Sequence, residues 1–209
     1  MRKYIVEFIG TFFLTLTIGM VVLGGKGDFA PLAIGSVLMV MIFAGGHISG
    51  AHYNPAVTLA VLLRGKIKLN DAIPYVIVQL LGATLASFSV MYLLDAKIPN
   101  EAPAVTDMAK PLLAEFFGTF ALAYVVLNVA TAKGTSGNSF YGLAIGFTVL
   151  AMAYAMGDIS GAAFNPAVAF CASMLKLRAW SGFWIYLLGS FTGATAAALV
   201  FRVCNPDDK

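Results

Sequence analysis

Asn54 and Asn165 stand in one local sequence written twice. The copies are Gly46-His47-Ile48-Ser49-Gly50-Ala51-His52-Tyr53-Asn54-Pro55-Ala56-Val57 and Gly157-Asp158-Ile159-Ser160-Gly161-Ala162-Ala163-Phe164-Asn165-Pro166-Ala167-Val168. Asn before Pro is a helix N-cap before a good first helical residue: the Asn oxygen accepts backbone N–H bonds, and Pro has no N–H to lose. Each amide NH2 is then left to donate elsewhere. Glu7 and Glu115 also match, within Glu7-Phe8-Ile9-Gly10-Thr11-Phe12 and Glu115-Phe116-Phe117-Gly118-Thr119-Phe120. Carboxylates inside such apolar runs need a partner or a task. A proton relay is one reading; the preferred one is that each braces non-helical backbone that must find hydrogen bonds inside the protein. His47 and His52 sit in the first small-residue stretch, and Asp158 replaces His47 in the second copy. With no Cys or carboxylate close by in sequence, the histidines read as loop-bracing or lining residues rather than metal ligands. Cys171 and Cys204 are the two cysteines. They form no ligand cluster or disulfide framework. No Ser-His-Asp set, nucleotide-binding loop or redox motif is present, so neither catalysis nor a cofactor or metal is expected.

The elements that must carry these residues are membrane spans. Of 209 residues, 60% are hydrophobic and 11% charged, whereas about a quarter of residues are charged in soluble domains. The net charge of +3 comes from scattered residues, and no basic tract suggests nucleic acid. Spans of roughly 20 residues are read at Tyr4–Leu23, Ala30–Ala44, Ala72–Leu94, Pro111–Ala130, Phe140–Met156 and Ser181–Val203. The first lacks a small-residue cleavage site and reads as a retained helix. Asn70 and Asp71 offer a cap for the third, and 95–110 is the long polar loop. The runs Ala56–Leu63 and Ala167–Leu175 are half-helices, each about 15 Å long against a hydrocarbon core of about 30 Å. Entering from opposite faces, they would meet at the midplane, with Asn54 and Asn165 facing a pore. The glycines at 10, 82, 118, 142, 189 and 193 let membrane helices approach closely.

Asn165 lies 111 positions after Asn54, and that offset also carries Leu32-Ala33-Ile34-Gly35 onto Leu143-Ala144-Ile145-Gly146 and Gly82-Ala83-Thr84 onto Gly193-Ala194-Thr195. The two Glu stretches match at an offset of 108. Three spans per half make the repeat inverted: one membrane domain over 1–209, with repeats at about 1–105 and 106–209. With the N-terminus inside, Arg2, Lys3, Arg64, Lys66, Lys68, Lys133, Arg202 and Lys209 are cytoplasmic, and Lys26, Lys97, Lys110, Lys176 and Arg178 are outside. The excess favours cytoplasmic termini.

These features resemble the aquaporin and glyceroporin family over nearly the whole chain: two Asn-Pro-Ala boxes on half-helices, an inverted three-plus-three repeat, and Glu in the first and fourth spans. The resemblance implies an all-α integral membrane fold of six transmembrane helices and two re-entrant half-helices in a right-handed bundle. It further implies a homotetramer in the cell membrane and a passive pore in each protomer for water and small neutral solutes. The family's filter positions fall on Ile34, Ala153, Ala162 and Val168. Val168 departs from the pattern, where Arg is usual, and Ala169 replaces the Asp common in glycerol facilitators. The outer filter is therefore expected to be wide and apolar, so that glycerol, urea or neutral metalloid acids could pass. The alternatives are an ion-coupled inverted-repeat transporter acting through Glu7, Glu115 or Asp158, and a structural membrane protein with a closed pore.

Overall fold

The computed structural model describes residues 1–208, so Lys209, assigned above to the N-terminal side, lies outside the described residues. The helices are α1 (Arg2–Leu23), α2 (Ala30–Ser49), α3 (Pro55–Leu63), α4 (Leu69–Leu93), α5 (Ala109–Thr131), α6 (Tyr141–Ser160), α7 (Pro166–Met174) and α8 (Phe183–Cys204), with no strand among the described residues. Six are long and apolar enough to cross a membrane. The other two, α3 and α7, have nine residues each, about half the core thickness at 1.5 Å per residue.

The spans read at Ala30–Ala44 and Phe140–Met156 are too short at their C-terminal ends. Both helices continue through the small residues to Ser49 and Ser160. Gly50 and Gly161 stop them, at φ 85° and 87°, with their N–H groups bonded to Gly46 O and Gly157 O. Such left-handed C-terminal positions suit glycine. His47 therefore lies on the last helical turn of α2 and not in the loop. Asn70 and Asp71 also move inside a helix, since α4 starts at Leu69 after Lys68. Asp71 instead pairs with Lys3 at 2.7 Å and accepts from Tyr4 Oη at 2.8 Å, tying α4 to α1.

Glycines let the helices touch both within each repeat and between the two. A Cβ on Gly82 would lie 2.6 Å from Phe8 O, so α1 and α4 touch backbone to backbone; α5 and α8 do the same at Gly193 and Phe116. The repeats cross where α2 meets α6, with a Cβ on Gly35 only 2.7 Å from Gly146 O and the converse at 2.6 Å. The outer faces are apolar: Ile5, Ile9 and Phe13 on α1, and Ile73, Ile77, Leu81, Leu85 and Phe88 on α4, are exposed at helical spacing. These stripes suit lipid. Inside the bundle the N-termini of the two half-helices, at Asn54 and Asn165, meet beside a cavity walled mainly by apolar side chains.

Candidate functional site

Asn54 and Asn165 cap α3 and α7. Asn54 Oδ1 accepts from Ala56 N at 2.8 Å, and Asn165 Oδ1 accepts from Ala167 N at 2.9 Å. The amide nitrogens donate elsewhere. Asn54 Nδ2 donates to Phe164 O, and Asn165 Nδ2 donates to Tyr53 O, both at 2.9 Å. Each cap thus holds the loop leading to the other cap, which fixes the two helix N-termini face to face. One N–H of each amide remains for a solute, since an amide has two.

The loops before the caps are strained. Ala51, Tyr53, Ala162 and Phe164 all have φ between 48° and 50°, a region that costs an L residue roughly 1 kcal/mol or more. The two carboxylates hold this backbone. Glu7 accepts from Ser49 Oγ (2.7 Å), His52 N (2.9 Å), Tyr53 N (2.7 Å) and Gln79 Nε2 (2.8 Å). Glu115 accepts from Ser160 Oγ (2.7 Å), Ala163 N (2.9 Å) and Phe164 N (2.6 Å). Both carboxylates are fully buried, and their hydrogen bonds are spent on protein donors. Tyr75 and Tyr186 complete the clamp by donating to Ser49 O and Ser160 O at 2.7 and 2.8 Å.

The rings of Tyr53 and Phe164 fill the places where Cβ atoms on Gly10 and Gly118 would stand. Those two glycines seat loop aromatics, whereas Gly82 and Gly193 admit helices. His52 is buried in the loop, with Nδ1 3.1 Å from Thr58 Oγ1 and its ring edge-on to Tyr75. His47 is exposed and makes no side-chain hydrogen bond to the loop among the described residues, so it does not share the bracing. Ser49, Ser160, Gln79, Tyr75 and Tyr186 were missed as braces. The offset of 111 that pairs Ser49 with Ser160 and Tyr75 with Tyr186 was the available signal.

A narrow cavity runs past the caps. It offers about 70 Å³ to the centres of water molecules, where roughly 10–15 Å³ suffices for one. Leu14, Ile18, Leu38, Val57, Val126 and Val149 are among the apolar side chains of its wall, and His52, Asn54 and Asn165 are its polar ones. Ile34, Ala162 and Val168 lie together in this lining; Ala153, one turn beyond Val149, is buried but not part of it. Pro55, Ala56, Pro166 and Ala167 are buried in the first turns of the half-helices. Asp158 is exposed at the end of α6. Among the described residues no three His, Cys, Asp or Glu side chains come together as a metal site.

Residues 1–201 match the family model described as major intrinsic protein. The chain is 36% identical to glycerol uptake facilitator protein-like 6 of Lactiplantibacillus plantarum, with the whole of both chains covered. It is 35% identical to aquaporin NIP1-1 of Zea mays, over all of this chain and 76% of that one. In fold it resembles the aquaglyceroporin of Plasmodium falciparum, with a TM-score of 0.83, 23% identity, and 98% and 97% of the two chains covered.

Proposed function

The chain belongs to the major intrinsic protein family and is a passive membrane channel for water and small solutes, and from that premise we propose a conduction path and a solute range for it. The path is the cavity between the capped ends of α3 and α7, and the solutes are water and neutral molecules up to the size of glycerol, urea or undissociated metalloid acids. The reciprocal Asn54 and Asn165 bonds carry this reading. They aim two helix N-termini, each equivalent to roughly half a positive charge, at one point of the path. Neutral solutes meet donors there, and cations meet a barrier. Ile34, Ala162 and Val168 give the constriction an apolar wall, with Ala153 behind it, so selection rests on size more than on matched hydrogen bonds.

The chain functions as one domain over 1–209 with two inverted repeats, as one protomer of a homotetramer in the cell membrane, with both termini cytoplasmic. No enzymatic role is assigned to it. Ion coupling has less support, because Glu7 and Glu115 already accept four and three protein hydrogen bonds.

Stopped-flow swelling of proteoliposomes with water, glycerol, urea and arsenous acid tests the reading. Water flux with glycerol flux, both proportional to the gradient and indifferent to pH and Na⁺ gradients, is expected. Uphill accumulation, or no flux above empty liposomes, would overturn it.

A further inference from the structure

Position 168 is Val, yet a guanidinium from elsewhere in the chain packs against the cavity wall at Gly161, from a neighbouring pocket that it shares with Asp158, Ser160 and Tyr186. Arg178 lies in the turn after α7. Its Nε donates to Ser160 O at 3.2 Å and its Nη1 to Leu177 O at 2.8 Å. Its Nη2 lies directly over Gly161, where a Cβ would overlap it. Gly161 and its neighbour Ala162 are part of the cavity wall.

The inverted repeat explains the significance of this place. Over Gly50, the counterpart of Gly161, the nearest side chain is the imidazole of His52, with Nε2 3.4 Å from a Cβ built there. His52 lines the cavity on its side of the caps. At the matching position the second repeat has Ala163, and the space that the imidazole takes in the first repeat is taken by the Arg178 guanidinium in the second. Among the described residues Tyr75 is the single side-chain donor to Ser49 O, whereas Ser160 O receives both Tyr186 and Arg178. Arg178 is half-buried and joins no ion pair among the described residues. Nη2 has no acceptor among them. A guanidinium stays charged across the physiological range.

We propose that Arg178, from outside the Asn-Pro-Ala motif, supplies beside the constriction the fixed positive charge that Val168 does not. Its charge repels cations that pass Gly161 and Ala162. The inference rests on the channel reading above and adds a fixed charge to an otherwise apolar opening. As a mere brace of the Ser160 carbonyl, Arg178 would affect folding and not ion exclusion.

Proteoliposomes holding the full chain separate the two roles, with K⁺ leak divided by osmotic water permeability as the readout. Arg178→Gln keeps a polar amide donor but is shorter and loses the charge, and should raise the ratio on the order of tenfold, the effect of one unit charge about 10 Å away at an effective dielectric near 20. Arg178→Lys should hold the ratio near the wild-type value, and Arg178→Gln combined with Val168→Arg should bring it back down. A ratio that ignores Arg178→Gln in a conducting protein overturns the proposal, as does an Arg178→Lys ratio as high as that of Gln. Absence of water flux in the wild type overturns the channel reading itself. If Arg178→Gln does not insert, Arg178→His replaces it. Its ratio should fall as the imidazole charges below about pH 6.5, with the wild type controlling for Glu115, Tyr186, Asp158, Asp107 and Lys110 around it, and a pH-independent ratio overturns the proposal.

Discussion

Gln79 donates to Glu7 at 2.8 Å, whereas Ser190, at the matching place 111 positions on, has no partner for its buried Oγ. The two carboxylate braces are therefore unequal. Replacing Glu7 by Leu orphans four buried donors and replacing Glu115 by Leu orphans three, at about 1–3 kcal/mol each. Glu7→Leu should destabilise more than Glu115→Leu, and the Gln variants should be milder than either. Ser190→Ala, which removes a buried hydroxyl without a partner among the described residues, should be neutral or stabilising. Folded yield and thermal unfolding in detergent measure this series. Equal losses for Gln and Leu would assign the carboxylates an ionic role and revive the proton relay.

The seats of the loop aromatics give a second prediction. Gly10→Ala and Gly118→Ala place a Cβ inside the rings of Tyr53 and Phe164, and neither ring has room to move because both are buried. Overpacking of this kind costs about 1–3 kcal/mol, so both variants should lose thermal stability and water flux. Gly134→Ala, with open space around it, should lose neither.

At the midplane, Asn54→Asp together with Asn165→Asp removes the donors that bond Phe164 O and Tyr53 O and sets negative charge against both helix N-termini. Cation conductance in planar bilayers should rise. If it does not, the barrier to cations lies somewhere other than the half-helix dipoles.

Val168→Arg should narrow the opening beside Ile34 and Ala162. Glycerol and urea flux should fall severalfold while water flux falls less. A glycerol-to-water ratio unchanged in a folded Val168→Arg protein would move selection away from these residues.

The C-terminal tail is held by Asp208, which pairs with the buried side chain of Arg64 at 2.5 Å and accepts from Lys133 N at 2.7 Å. The Lys133 N–H, with the charges of Arg64 and Lys133, keeps this carboxyl below the usual Asp range. A lowered folded-state pKa means that the tail's contribution is complete above the ordinary Asp value near 3.9 and is lost as pH falls through the lowered one. Docking should therefore be flat from neutral pH down to about pH 4 and fail only below it. Asp208→Asn should free the tail at neutral pH. Hydrogen exchange over residues 133–138 follows both effects.

Whatever depends on short-range spacing was legible in the sequence. Hydrophobic run lengths gave the six spans. Asn-Pro gave the two half-helix starts, and the offsets of 111 and 108 gave the repeat. Local chemistry decides each of these, because a cap is a bond between residues two or three apart. The tertiary structure decided which distant groups come within hydrogen-bond reach. It ran α2 and α6 on to Ser49 and Ser160, since only the left-handed turns at Gly50 and Gly161 stop them, and this took His47 out of the loop. It seated Tyr53 on Gly10, turned the Asn54 and Asn165 amides onto each other's loops, and carried Arg178 back to Ser160, 18 positions earlier in the chain. No spacing rule encodes these contacts. They follow from the way the two halves pack against each other, where a residue's partner is set by the fold and not by its neighbours in sequence.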